Sequence, residues 1–170
     1  MDYIIFDYPF PSELNLNLYK IVHQYYSNDV KGGASITSMD LHRRGIKEID
    51  ILIGWIGSLL PDVCYFFSQD GEDSGDSPPY NLNSFSIVDC WGIHYNKGEY
   101  VVKHNHFPYS LSFCYYVRTP DGSSPFILQE ERIEMNEGQI IFFPSYQYHS
   151  CEQSKVDGRC AVVGNILYTP

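Results

Sequence analysis

From Ser84 onward the chain is a series of short strand-like runs cut by turn signals, a pattern that leaves few folds open. The runs are "SFSIVDCWGIHY", "EYVVKHNH", "SLSFCYYV", "PFILQEERI", "QIIFFP" and "RCAVVGNILY", and the interruptions are "NKG", "TPDGSS", "NEG" and "VDG". With no helical period between them, such runs predict an antiparallel barrel or sandwich over residues 84–170. Aromatic residues make up 16% of the chain and tyrosine dominates them. That suits strands, and pockets whose walls need an apolar body with a polar tip.

Upstream of this region two helices are expected. Leu14, Leu18, Ile21, Val22 and Tyr25 recur at helical spacing behind Pro11, with Ser12 as the expected N-cap. Ile46, Ile49, Ile53, Ile56 and Leu60 mark a second helix, expected to stop at Pro61. The acidic stretch "QDGEDSGDSPP", residues 69–79, has nothing to bury and reads as a mobile loop. Neither a repeat nor a second domain is visible. The chain is expected to be one domain over residues 1–170, with helical support and the loop in 1–80 and the β core in 84–170.

A net charge of −10 repels a phosphate backbone, so nucleic acid is not the expected partner. Five cysteines without a CxxC pair read as reduced, buried small hydrophobes of a cytoplasmic protein. The N-terminus "MDYIIFDYPF" has no basic segment before an apolar run, and no later stretch reads as a membrane span. A soluble protein is the expectation.

Side chains two apart in a strand share a face, so Tyr100, Val102, His104 and His106 are expected to project together. Two imidazoles on one face can converge on one ion, and His149, behind the run "GQIIFFP", is the expected third ligand. Three protein ligands leave positions open opposite them. That suits iron with a chelating co-substrate and oxygen, or a zinc holding water. The competing reading is a pair of half-buried strand histidines. Arg159 opens the last run. Pointing inward it would call for a carboxylate; otherwise it is a surface residue after the "DG" turn. In "SLSFCYYV", Ser112, Cys114 and Tyr116 share the face toward a small polar cavity, while Leu111, Phe113, Tyr115 and Val117 face a hydrophobic layer. Tyr116 and Tyr95 are the hydroxyls placed to reach a ligand, or else packing residues.

Taken in order, "YNKGEYVVKHNH", "SFCYYV", "GQIIFFPS" and His149 followed by Arg159 resemble the iron(II)/2-oxoglutarate-dependent dioxygenases, in particular the prolyl 4-hydroxylase-like branch. The resemblance covers roughly residues 89–168. It implies a double-stranded β-helix, or jelly roll, mainly β with N-terminal helices bracing it. It further implies Fe(II) held by His104, His106 and His149, and 2-oxoglutarate gripped by Arg159 with Tyr116 and Tyr95 lining its pocket. Oxygen would be the other co-substrate, and an unidentified prime substrate, such as a peptide or protein residue, would be hydroxylated with release of succinate and CO2. One position departs from the pattern: most of the superfamily carries Asp or Glu where His106 stands. Gly98, His104, His106, Gly138, Pro144 and His149 also resemble part of the cupin pattern, which has the same architecture. A three-histidine cupin dioxygenase without 2-oxoglutarate and a non-catalytic jelly-roll binding module are therefore the alternatives.

Overall fold

The computed structural model describes residues 3–30, 32–68 and 81–169; the stretch 69–79, expected to be a mobile loop, falls outside the described residues. The chain runs β1 (Ile4–Asp7), α1 (Pro11–Tyr25), β2 (Tyr26–Asp29), β3 (Ser35–Thr37), α2 (Lys47–Ser68), β4 (Phe85–Tyr95), β5 (Val101–His104), β6 (Leu111–Arg118), β7 (Phe126–Leu128), β8 (Glu131–Ile133), β9 (Gln139–Pro144), β10 (His149–Cys151) and β11 (Arg159–Tyr168). Two antiparallel sheets result. The larger has seven strands in the order β1-β9-β6-β11-β4-β3-β2, and the smaller has four, β5-β10-β7-β8. This is the mainly β, antiparallel arrangement expected from the strand runs, and it is consistent with the jelly roll that the family resemblance implies. β1, β2, β3 and β10 were not legible as strands, being three or four residues long and supplied with neighbours only by the fold.

Side-chain alternation divides the interior into two clusters. Leu111, Phe113, Tyr115 and Val117 of β6 join Ile140, Phe142 and Val162 in a cluster shared with Leu18, Val22, Ile49, Leu52 and Ile56 of the helices. Cys114 and Tyr116, with Trp91, Ile93, Ile141 and Phe143, face Phe126, Leu128 and Cys151 of the small sheet. The face division expected along "SLSFCYYV" therefore holds. Gly92 is required by a close approach: a Cβ there would lie 2.4 Å from Cγ2 of Val22, which is fully buried on α1.

Three local expectations are corrected. Phe10, not Ser12, occupies the N-cap of α1, without a side-chain cap hydrogen bond; Pro11 is already in the first turn, where its fixed φ fits and its missing N–H costs nothing. Pro61 does not end α2, which continues to Ser68. The hydrogen bond that Pro61 cannot make belongs to Gly57, and both are exposed, so solvent can take the carbonyl. Meanwhile Val63 and Cys64 extend the buried stripe of Ile49, Leu52 and Ile56 past the proline. Finally, α2 is long and apolar enough to cross a membrane by length and composition, contrary to the reading of the sequence. Here its apolar stripe packs in the cluster shared with the large sheet.

Candidate active site

The two sheets enclose a cavity of about 500 Å³, whose wall includes His104, His106, His149, Arg159 and Tyr95. His149 opens β10 directly opposite His104, the last residue of β5. His106 lies beyond the end of β5, so strand alternation is not what places it. Its backbone N–H donates to the Ser145 carbonyl at 2.8 Å, tying it to the end of β9. Tyr100, expected on the same face, also precedes the strand and is over a third exposed, away from the cavity wall.

Hydrogen bonds determine which nitrogen each imidazole presents. His104 Nδ1 lies 2.8 Å from the Val102 carbonyl and His149 Nδ1 lies 3.3 Å from the Gln147 carbonyl. A carbonyl only accepts, so both Nδ1 atoms carry a proton, and Nε2 is the nitrogen by which each ring in its neutral form would hold a metal. His106 Nδ1 is 3.1 Å from Ser112 Oγ, and its Nε2 is 3.1 Å from His104 Nε2. The ligand atoms of the three rings lie within 4.8 Å of one another. Burial and the neighbouring His104 lower the pKa of His106 to about 4; burial, then His104 and His106, lower that of His149 to about 3. Neutral imidazoles turning lone pairs toward a common point repel one another unless a cation stands between them. The donor set therefore fits a divalent transition metal such as iron or zinc.

The other end of the cavity is built around Arg159. As the first residue of β11 it pairs in register with Tyr95, the last residue of β4. Its guanidinium carbon sits 4.5 Å from the Tyr95 ring centroid and 5.4 Å from that of Tyr116. Nη2 donates to the Tyr116 hydroxyl at 3.4 Å, whereas Nε, buried, has no partner. Tyr116 touches the arginine through its hydroxyl; Tyr95 offers mainly its ring face. Arg159 is 2% exposed, and among the described residues no carboxylate pairs with it. Burial raises the pKa of both phenols well above their ordinary value, and pushes the Cys114 thiol up to about 12. The groups packed around the guanidinium are thus uncharged. A buried cation without a counter-charge is costly, and a bound carboxylate is its natural complement.

Five of the six residues expected to form the site line the cavity, whereas Tyr116 is not on its wall and joins the others through its contact with Arg159. The sequence reading missed Asp89 and Asn165, which also line the cavity. Asn165, a lone amide in the otherwise apolar stretch "CAVVGNIL", was the available signal.

By sequence, no family model and no curated protein matches the chain. By structure, it is similar to a prolyl-4-hydroxylase from Pseudomonas putida: 14% identity over 99% of this chain and 93% of that one, TM-score 0.70. It is similar also to HygX from Streptomyces hygroscopicus with nickel, 2-oxoglutarate and hygromycin B bound: 9% identity over 99% and 83%, TM-score 0.68. A prolyl hydroxylase from Trichoplax adhaerens, in complex with a hypoxia inducible factor peptide fragment, aligns at 15% identity over 96% and 83%, TM-score 0.66. The chain therefore has the fold on which prolyl 4-hydroxylases and other 2-oxoglutarate/iron(II) oxygenases are built.

Proposed function

We propose that the protein is an Fe(II)- and 2-oxoglutarate-dependent dioxygenase that hydroxylates a prime substrate and releases succinate and CO2. The carrying observation is Arg159, a buried guanidinium that no carboxylate among the described residues pairs, in the same cavity as three imidazoles that turn toward one point. His104, His106 and His149 would hold the iron. When bound, Fe(II) and 2-oxoglutarate would supply the electrons that activate oxygen for attack on a substrate C–H bond, one oxygen atom ending in succinate and the other in the hydroxylated product. Arg159 would grip the far carboxylate of 2-oxoglutarate, with the Tyr116 hydroxyl as a second polar contact and the Tyr95 ring stacked on the guanidinium. The dianion would also offset the charge that three neutral ligands leave on a divalent ion. Trp91, Ile93 and Phe143 line the cavity and keep water from its centre.

A cupin-type site without 2-oxoglutarate leaves the Arg159 guanidinium without its carboxylate, and so does a binding module whose three imidazoles only take up zinc. The similar structures carry a peptide in one case and hygromycin B in another, so the fold accommodates both kinds of substrate. A peptide or protein residue is our proposal for the prime substrate. The test is anaerobic titration of the protein with Fe(II) and 2-oxoglutarate, followed by exposure to oxygen. A weak visible charge-transfer band and then succinate are expected. Iron uptake with neither 2-oxoglutarate binding nor succinate would overturn the reading.

A further inference from the structure

Asp89, Asn165 and Ser112 stand on one cross-strand rung of the large sheet, Asn165 being in register with both of the others. The Asn165 amide nitrogen donates to Asp89 Oδ2 at 3.2 Å, Ser112 Oγ donates to Asn165 Oδ1 at 2.9 Å, and Ser112 Oγ lies 3.1 Å from His106 Nδ1. Ser112 Oγ is also 2.8 Å from Ser145 Oγ. Ser112, Ser145 and Asn165 are all buried.

The polarity of this chain is determined from its far end. An ionised Asp89 can only accept, so Asn165 must turn its NH2 toward it and its carbonyl oxygen toward Ser112. The single Ser112 proton is then committed to Asn165. Ser112 has only lone pairs left, one for the Ser145 hydroxyl and one for His106. The His106 Nδ1 must therefore carry the proton, which leaves Nε2 bare and facing His104. The opposite tautomer would need the Ser112 proton for itself and would leave the Asn165 carbonyl oxygen unpaired in a buried place.

We propose that Asp89, Asn165 and Ser112 are positioning residues that hold His106 in the tautomer and orientation of a metal ligand, replacing from outside the metal shell the carboxylate that its position lacks. The inference rests on the metal-site reading above. A carboxylate that orients a ligating histidine usually touches it directly. Here it acts through an amide and a hydroxyl, keeping a fixed negative charge on the side of His106 away from the ion.

The test uses Zn(II) as a diamagnetic probe and nitrogen NMR of the histidine side chains, with and without the metal. In the wild type His106 should be protonated at Nδ1 in both states, and its Nε2 resonance should move on Zn(II) addition. Ser112→Ala should lose the single tautomer in the metal-free protein and weaken Zn(II) binding by roughly 10- to 100-fold. Ser112→Thr, which keeps the hydroxyl, should restore both. Asp89→Asn, at a half-buried position that tolerates the change in charge, should weaken binding by less and mix the tautomers. Wild-type affinity and an unchanged His106 spectrum in Ser112→Ala and Asp89→Asn would overturn the relay while leaving the metal site standing. Failure of the wild type to take up Zn(II), or equal uptake by His104→Ala, would overturn the metal-site reading and the relay with it.

Discussion

Along β6, Leu111, Phe113, Tyr115 and Val117 face the helices, while Ser112, Cys114 and Tyr116 face the small sheet. The same division runs along β4, where Cys90, Gly92 and His94 lie toward α1 and Asp89, Trp91, Ile93 and Tyr95 toward the cavity. The helix face is closed mainly by apolar contact, and the Tyr115 hydroxyl on it donates to Asn15 Oδ1 at 2.7 Å. The cavity face carries a guanidinium with a bare Nε and no carboxylate partner among the described residues, imidazoles with opposed lone pairs and a three-strand polar rung. Adjacent residues of one strand thus serve opposite ends: one face stabilises the sheet, and the other holds costly groups that a ligand would satisfy.

If the division is real, substitutions on the two faces should separate activity from stability. The largest effect is expected from His149→Ala, which should abolish stoichiometric Fe(II) or Zn(II) binding, read by calorimetric titration, while the protein still unfolds cooperatively. Arg159→Met should weaken 2-oxoglutarate roughly 100-fold or more and leave metal uptake intact. Because it removes an unpaired buried charge, the ligand-free variant should melt no lower than the wild type. A clear drop in its Tm would mean that Arg159 has a structural partner and would break the comparison.

On the helix face the expected losses are of stability alone. Ile140→Ala should cost about 2–5 kcal/mol in denaturant unfolding, with metal affinity unchanged wherever the protein remains folded. Gly92→Ala forces a methyl against Val22 and should cost about 1–3 kcal/mol. The smallest effect concerns His94, whose ring lies 4.2 Å from that of His23, with Tyr19 beside both. Burial first, then the charge of His23, lowers its pKa, with Glu99 and Asp157 opposing and Arg118 assisting. A histidine lowered in the folded state contributes fully above its unfolded value near 6.5. That contribution is lost as pH falls through the folded pKa. His94→Gln should therefore flatten the decline of Tm on acidification below about pH 6.5.

The strand runs, their turn signals and the two-residue periodicity were enough to predict a β core and to assign the faces of β6. Chain order was enough to nominate His104, His106, His149, Arg159, Tyr116 and Tyr95 through a family resemblance. Pro61 misled because its cost is local, whereas the burial of Val63 and Cys64 that offsets it comes from the packed sheet.

What sequence by itself determined about this protein is the set of alternating strands and the identity of the groups they carry, because side-chain direction in a strand follows from covalent geometry. Tertiary structure alone decided where those groups meet. His106 lies beyond its strand and is placed by a hydrogen bond to Ser145; Asn165 gains its meaning from register with Asp89 and Ser112; and Arg159 becomes a binding group only when burial removes its water and its neighbours stay uncharged. Register, burial and the polarity of a hydrogen-bond chain depend on residues far apart in the chain, and only closure of the two sheets brings them within reach.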